Sequence, residues 1–340
     1  MNSLAKKHFF ETFPNKHFQE EFSNVYAYGI KEQINSGKLT EEDMYVDTLE
    51  NFYLRVKNRS LNYSNDYLTD ILLEKIFHNI PQEISKEITN TFVGVSVFDS
   101  SLNAYAYQQF DDSSYLIVYT TSLMNKISIV LCIITCYICE RNYHFNLNTL
   151  KELFLEQLTS DYNEMINIQE IIDDLLKTSL IHVREDFDRI FGKLHEYSTC
   201  FVLGHEIGHH FFLHTKNIDL KENLNILSEN IKNNHINELY CDKFSAFITF
   251  ETFAKDQKNS ALEIIGIVSA LLALTLEENF YEHSTTHPSF KNRFDMVFNY
   301  FNERFPDYKL KEHISDFFLC CDLFYDKDFL DDRWWENYYS

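Results

Sequence analysis

His205, Glu206 and His209 form the pattern H-E-x-x-H, inside the run Phe201-Val202-Leu203-Gly204-His205-Glu206-Ile207-Gly208-His209-His210-Phe211-Phe212. On a helix, residues i and i+4 stack on one face, so two imidazoles at this spacing can reach one metal ion. Glu206, beside the first of them, can act as general base toward a water held there. A catalytic zinc takes three protein ligands and keeps a fourth position open. Downstream, Asn237-Glu238-Leu239-Tyr240-Cys241-Asp242 offers the third ligand. Glu238 and Asp242 again stand at i and i+4. Glu238 can complete the ligand set, and Asp242 can hold a ligand histidine by its other ring nitrogen. The competing pattern, with a third histidine soon after the motif, requires glycine at position 212 and histidine at 215, where the chain has Phe212 and Thr215. His210 and His214 are therefore read as structural or as lying behind the ligands.

A second group follows in Thr285-Thr286-His287-Pro288-Ser289-Phe290-Lys291-Asn292-Arg293-Phe294. Pro288 suits the first turn of a helix, which would set His287 at the helix mouth and Arg293 on its body. A histidine that is not a ligand can donate a hydrogen bond to the oxyanion of a tetrahedral intermediate. Arg293 can brace the region by pairing with a carboxylate.

These side chains need rigid carriers. The apolar flanks of the motif predict a buried helix over Leu194–His214, and Asp66–Phe77 has helical periodicity closed by Pro81. Val93–Phe98, Ala104–Tyr107 and Tyr115–Tyr119 read as strands separated by turns, giving a small antiparallel sheet. The edge of such a sheet can pair main chain to main chain with an extended peptide. That makes Asn103, Ala104, Tyr115 and Ile117 substrate-binding candidates. Ile127–Cys139 and Ile264–Leu276 are apolar but shorter than the about 17–25 residues needed to cross a bilayer, so both are expected as core helices. Asn148–Lys193 reads as polar and helical, and Lys216–His235 as an exposed connector. The expected class is α+β, mostly helical and zincin-like. The expected organisation is a helical accessory region over 1–90, the site-bearing domain over 91–310 with a helical insertion about 140–195, and an acidic, aromatic C-terminal segment over 311–340 that packs on the body through Trp334 and Trp335.

Composition narrows the partners. A formal net charge of −22 argues against nucleic acid and against an anionic membrane surface. The N-terminus has no apolar run followed by a small-residue cleavage site, and the seven cysteines are an odd number, so a reducing, cytoplasmic location is expected. Cys136 and Cys139 form C-x-x-C within an apolar run and are read as core.

Taken in order, Asn103-Ala104-Tyr105-Ala106, Tyr115–Leu123, His205–His209 with Glu238 and Asp242, and His287-Pro288 with Arg293 resemble the gluzincin family of the CAAX prenyl protease and the heat-shock membrane protease. The resemblance covers roughly residues 92–300. Its soluble branch includes peptidases of the Lit phage-exclusion type, to which this chain is similar. The resemblance implies one zinc per chain on His205, His209 and Glu238, with Glu206 as base, Asp242 and Arg293 behind the ligands, and His287 as transition-state stabiliser. It implies a protein or peptide substrate, no membrane insertion, a stress or phage response, and room for a regulatory partner. Two alternatives stay open: a regulator-cleaving metallopeptidase of the repressor-processing type, and a zinc-binding regulatory protein without turnover.

Overall fold

The computed structural model describes residues 3–13, 63–64, 66–96, 104–107, 109–143, 152, 181–212, 227–253, 260–277, 287–306, 314–326, 330 and 333–338. Among the described residues three short helices come first: α1 (Leu4–Thr12), α2 (Tyr67–Asn79) and α3 (Gln82–Ile88). Asp66 caps α2 by accepting from the Thr69 amide and hydroxyl, each at 2.9 Å. Three strands follow, β1 (Thr91–Ser96), β2 (Ala104–Ala106) and β3 (Tyr115–Thr120), and then the long helices α4 (Thr121–Tyr143), α5 (Ile181–Phe211), α6 (Leu227–Phe253) and α7 (Ser260–Glu277). The chain continues through α8 (Phe290–Arg304) and α9 (Ser315–Asp326) to a 3₁₀ turn, Trp334–Tyr338.

The fold is α+β and mostly helical, with one three-stranded sheet among the described residues. The sheet is mixed rather than antiparallel. Its order is β1-β3-β2; β2 runs against β3, and β1 pairs with the other side of β3 in parallel, from Thr91 with Tyr115 to Ser96 with Thr120. Alternation then divides β3 between two faces. Leu116 and Val118 join Phe92, Ala5 and Phe9 in a cluster under α1, whereas Ile117 and Tyr119 face the main helical core. Helix α1 thus covers one face of the sheet and the long helices the other.

Helix α5 is the axis of the core. It packs against α6, α7, α4, α3 and the sheet, and its residues from Tyr197 to Gly208 are buried on every side. A helix enclosed in this way has no need of a polar face, which explains the run Cys200-Phe201-Val202-Leu203 before the motif. Helix α4 is similarly enclosed, and it extends beyond the apolar stretch Ile127–Cys139. Its window Ser122–Glu140 is long and apolar enough to cross a membrane by length and composition, yet 67% of that window is buried inside the protein against α5, α7 and α9. The C-terminal turn also joins the core: Trp335 is fully buried, its indole N–H donating to Asp322 at 2.9 Å, and the Trp334 ring packs at a tilt against Phe294 at 4.8 Å.

Candidate metal centre

Two helices build the site, and glycine lets them meet. A Cβ at Gly204 would lie 2.8 Å from Ser245 Oγ and 3.2 Å from Ser245 Cα. Only a residue without one allows α5 and α6 this approach. Ser245 closes the same contact by donating its hydroxyl to the Phe201 carbonyl. One turn further along, the motif face of α5 therefore looks directly onto α6.

Three donors converge there. His205 Nε2 is 3.0 Å from Glu238 Oε2, His209 Nε2 is 3.2 Å from His205 Nε2, and His209 Nε2 is 3.4 Å from Glu238 Oε1. One ligand atom from each residue can be chosen so that all lie within 4.8 Å of one another. Donors about 2.0–2.1 Å from a tetrahedral zinc stand about 3.4 Å apart, by geometry from those bond lengths. The observed separations fit that figure closely, and two imidazoles with one carboxylate are a donor set that zinc accepts. The residues therefore fit the ion that their spacing implies.

The outer side of the cluster is equally organised. His205 Nδ1 lies 2.9 Å from Asp242 Oδ1, as required to fix the tautomer that leaves Nε2 for a metal. Asp242 is completely buried and is held in turn by Arg293, whose Nε and Nη2 donate to Oδ2 and Oδ1 at 2.9 and 2.7 Å. Burial opposes ionisation of Asp242, but Arg293 and His205 overcome it and hold the carboxyl below its usual range. Burial likewise pulls the His205 imidazole down, and its bonds to Asp242 and Glu238 reverse this and raise it to about 10. Glu238 is driven well below the ordinary carboxylate range by His205, His209 and His287, against the effect of burial. A cation entering this cluster competes with the His205 proton.

Glu206 has a different environment. It is buried beside the cluster, and burial raises its carboxyl to about 7; His205 acts downward, Glu238 upward, and His287 and Arg293 downward. A carboxyl poised near neutrality can both take and return a proton. His287 Nε2 stands 3.6 Å from Glu238 Oε2 at the start of α8. Pro288 lies outside the helix; Ser289 is the cap and accepts from the Asn292 amide.

The sheet side differs from expectation. Tyr115 and Ile117 lie on the central strand, where β3 pairs along β1, along β2 from Tyr119 to Ile117, and through the Tyr107 amide to the Leu116 carbonyl at 2.8 Å. Their main chain is thus committed inside the sheet, and the outer strand next to α5 is β2, which begins at Ala104. Asn103 falls outside the described residues, as does His214.

His210 has the structural place that its spacing implied, whereas Cys241 was not anticipated at the site. His210 is buried with its ring 4.3 Å from that of Tyr115 and is hydrogen-bonded to the main chain of Leu116, so it ties α5 to β3. Cys241 Sγ lies 3.6 Å from His209 Nδ1. Its place three residues after Glu238, next to Asp242, was the available signal, because i+3 and i+4 share a helix face.

The fold and the site together define a mostly helical protein in which His205, His209 and Glu238 could hold a metal ion beside the buried carboxyl of Glu206. Residues 159–312 match the family model described as Peptidase U49, a span that contains the whole cluster together with Glu206, Asp242, His287 and Arg293. The match supports a peptidase of metallopeptidase-like kind. No curated protein and no solved structure matches the chain.

Proposed function

We propose that this chain is an intracellular zinc-dependent endopeptidase. The carrying observation is the convergence of His205, His209 and Glu238 at donor separations of 3.0–3.4 Å with buried Glu206 alongside. Zinc bound there would supply Lewis acidity toward the scissile carbonyl and toward a water molecule. The protein does the rest. His205 and His209 bind through Nε2 and Glu238 through its carboxylate. Asp242, held by Arg293, keeps His205 in the productive tautomer. Glu206 removes the proton from the attacking water and delivers it to the leaving amine, and His287 donates a hydrogen bond to the oxyanion. The substrate main chain runs along the outer strand β2 from Ala104.

We place the catalytic unit over residues 91–310, with residues 1–90 and 311–340 as accessory parts. A cytoplasmic location is supported by seven cysteines that are all buried free thiols. Similarity of the motif set to Lit-type peptidases supports a role in stress or phage response through cleavage of a host protein, under a regulatory partner. The proposed activity needs neither nucleic acid nor membrane insertion.

The test is labelling of new protein N-termini in cells expressing wild type or Glu206→Gln, with zinc measured on both purified proteins. Termini that appear with wild type and vanish with the variant, at one zinc per chain in each, support the reading. A wild type that carries zinc yet yields no termini beyond those of the variant leaves a binding protein without turnover.

A further inference from the structure

Helix α6 presents Glu238, Cys241 and Asp242 on one face, at i, i+3 and i+4. Each faces the motif histidines. Glu238 closes the donor cluster, Asp242 holds the outer nitrogen of His205 at 2.9 Å, and Cys241 lies against the outer nitrogen of His209 at 3.6 Å. The last distance is within reach of a hydrogen bond to sulfur, which is longer than one to oxygen. Cys241 is fully buried, and a Cβ at Gly208 would meet its Cα, Cβ and Sγ at 3.3 Å each. Glycine at 208 thus admits the thiol to a place where it can touch the ring of His209.

From this geometry we propose that Cys241 is the positioning residue of ligand His209, accepting a hydrogen bond from Nδ1–H and leaving Nε2 directed at the metal. The inference rests on the zinc reading of the cluster. It adds an asymmetry to that reading. His205 is oriented by a charged carboxylate with an arginine behind it, whereas His209 is oriented by a neutral thiol, a weak acceptor. Loss of an orienting partner behind a ligand lowers metal affinity by about 10–100-fold. A weak acceptor belongs at the lower end of that range, so the expected loss is about tenfold. The thiol itself is not a ligand here. It stands on the Nδ1 side of His209, away from the Nε2 atoms that converge.

The experiment measures zinc affinity by chelator competition on wild type, Cys241→Ala, Cys241→Ser and Glu238→Ala, and records the near-ultraviolet spectra of cobalt-loaded wild type and Cys241→Ser. Expected is a loss of about tenfold in Cys241→Ala, recovery of most of it in Cys241→Ser, whose hydroxyl also accepts from Nδ1–H, and no thiolate-to-cobalt charge-transfer band. Equal losses in the alanine and serine variants would assign the effect to packing and overturn the proposal. So would unchanged affinity in Cys241→Ala, or a charge-transfer band that disappears in Cys241→Ser, which would make the thiol a ligand. Failure of the zinc reading looks different: wild type binds no zinc, or Glu238→Ala binds it as tightly as wild type, and the inference falls with it.

Discussion

Arg293 grips Asp242 with two parallel hydrogen bonds, Nε to Oδ2 at 2.9 Å and Nη2 to Oδ1 at 2.7 Å, and both side chains are buried. The pair joins α8 to α6, and through His205 it reaches α5. Removing one member of a buried pair leaves the other charge uncompensated and costs about 3–5 kcal/mol. Arg293→Ala should lose stability of that order in urea unfolding. Arg293→Lys, which keeps the charge but not the fork, should lose less. An alanine variant as stable as wild type would remove Asp242 from the set of groups that depend on Arg293.

Metal removal provides the second prediction. A ligand that binds only the folded state stabilises it by about 4 kcal/mol at a thousand times its dissociation constant. Chelation should therefore lower the melting temperature of wild type, and added zinc should restore it. Glu238→Ala should respond to neither, since it lacks a donor on each histidine's flank. A chelator response that survives in Glu238→Ala would place the ion elsewhere.

Gly204→Ala tests the helix contact. The added methyl would sit 2.8 Å from Ser245 Oγ and 3.2 Å from Ser245 Cα. Turning the Ser245 hydroxyl relieves only the first contact, so α6 must move. Overpacking of this kind costs about 1–3 kcal/mol, and because α6 carries Glu238 and Asp242, zinc affinity should fall as well. Stability loss without any change in affinity would mean that the site tolerates the shift.

The pH dependence of stability should carry the signature of His210. Burial holds this imidazole down to about 3, against an ordinary value of 6.5, with its bond to the Leu116 main chain acting in the opposite direction. The unfolded chain therefore binds a proton there between about pH 6.5 and 3, where the folded chain does not. Its contribution to stability is complete above about pH 6.5 and is lost as pH falls toward 3. His210→Gln should flatten the acid limb of the stability curve in that window, as read from unfolding at several pH values. A parallel curve with the same slope would show that His210 is protonated in the folded protein.

What could be read along the chain was whatever depends on near neighbours. The i, i+4 spacing of His205 with His209 and of Glu238 with Asp242 has meaning as soon as each segment is a helix, and the apolar flanks of both segments make them so. The helical content, the three strands and the burial of Trp334 and Trp335 follow from periodicity and composition in the same way. Tertiary structure decided which partners meet. Hydrophobic alternation marks β1, β2 and β3 as strands but is the same for parallel and antiparallel pairing, so the central place of β3, which pairs the Tyr115 and Ile117 main chain inside the sheet, was not legible. Arg293 was recognisable as a brace for some carboxylate; its choice of Asp242, 51 residues away, depends on how α8 crosses α6. The contact of Cys241 with His209 depends on Gly204 and Gly208 letting two helices approach. Local periodicity is written in the chain, whereas the crossing of distant helices is settled only when all of them share one core.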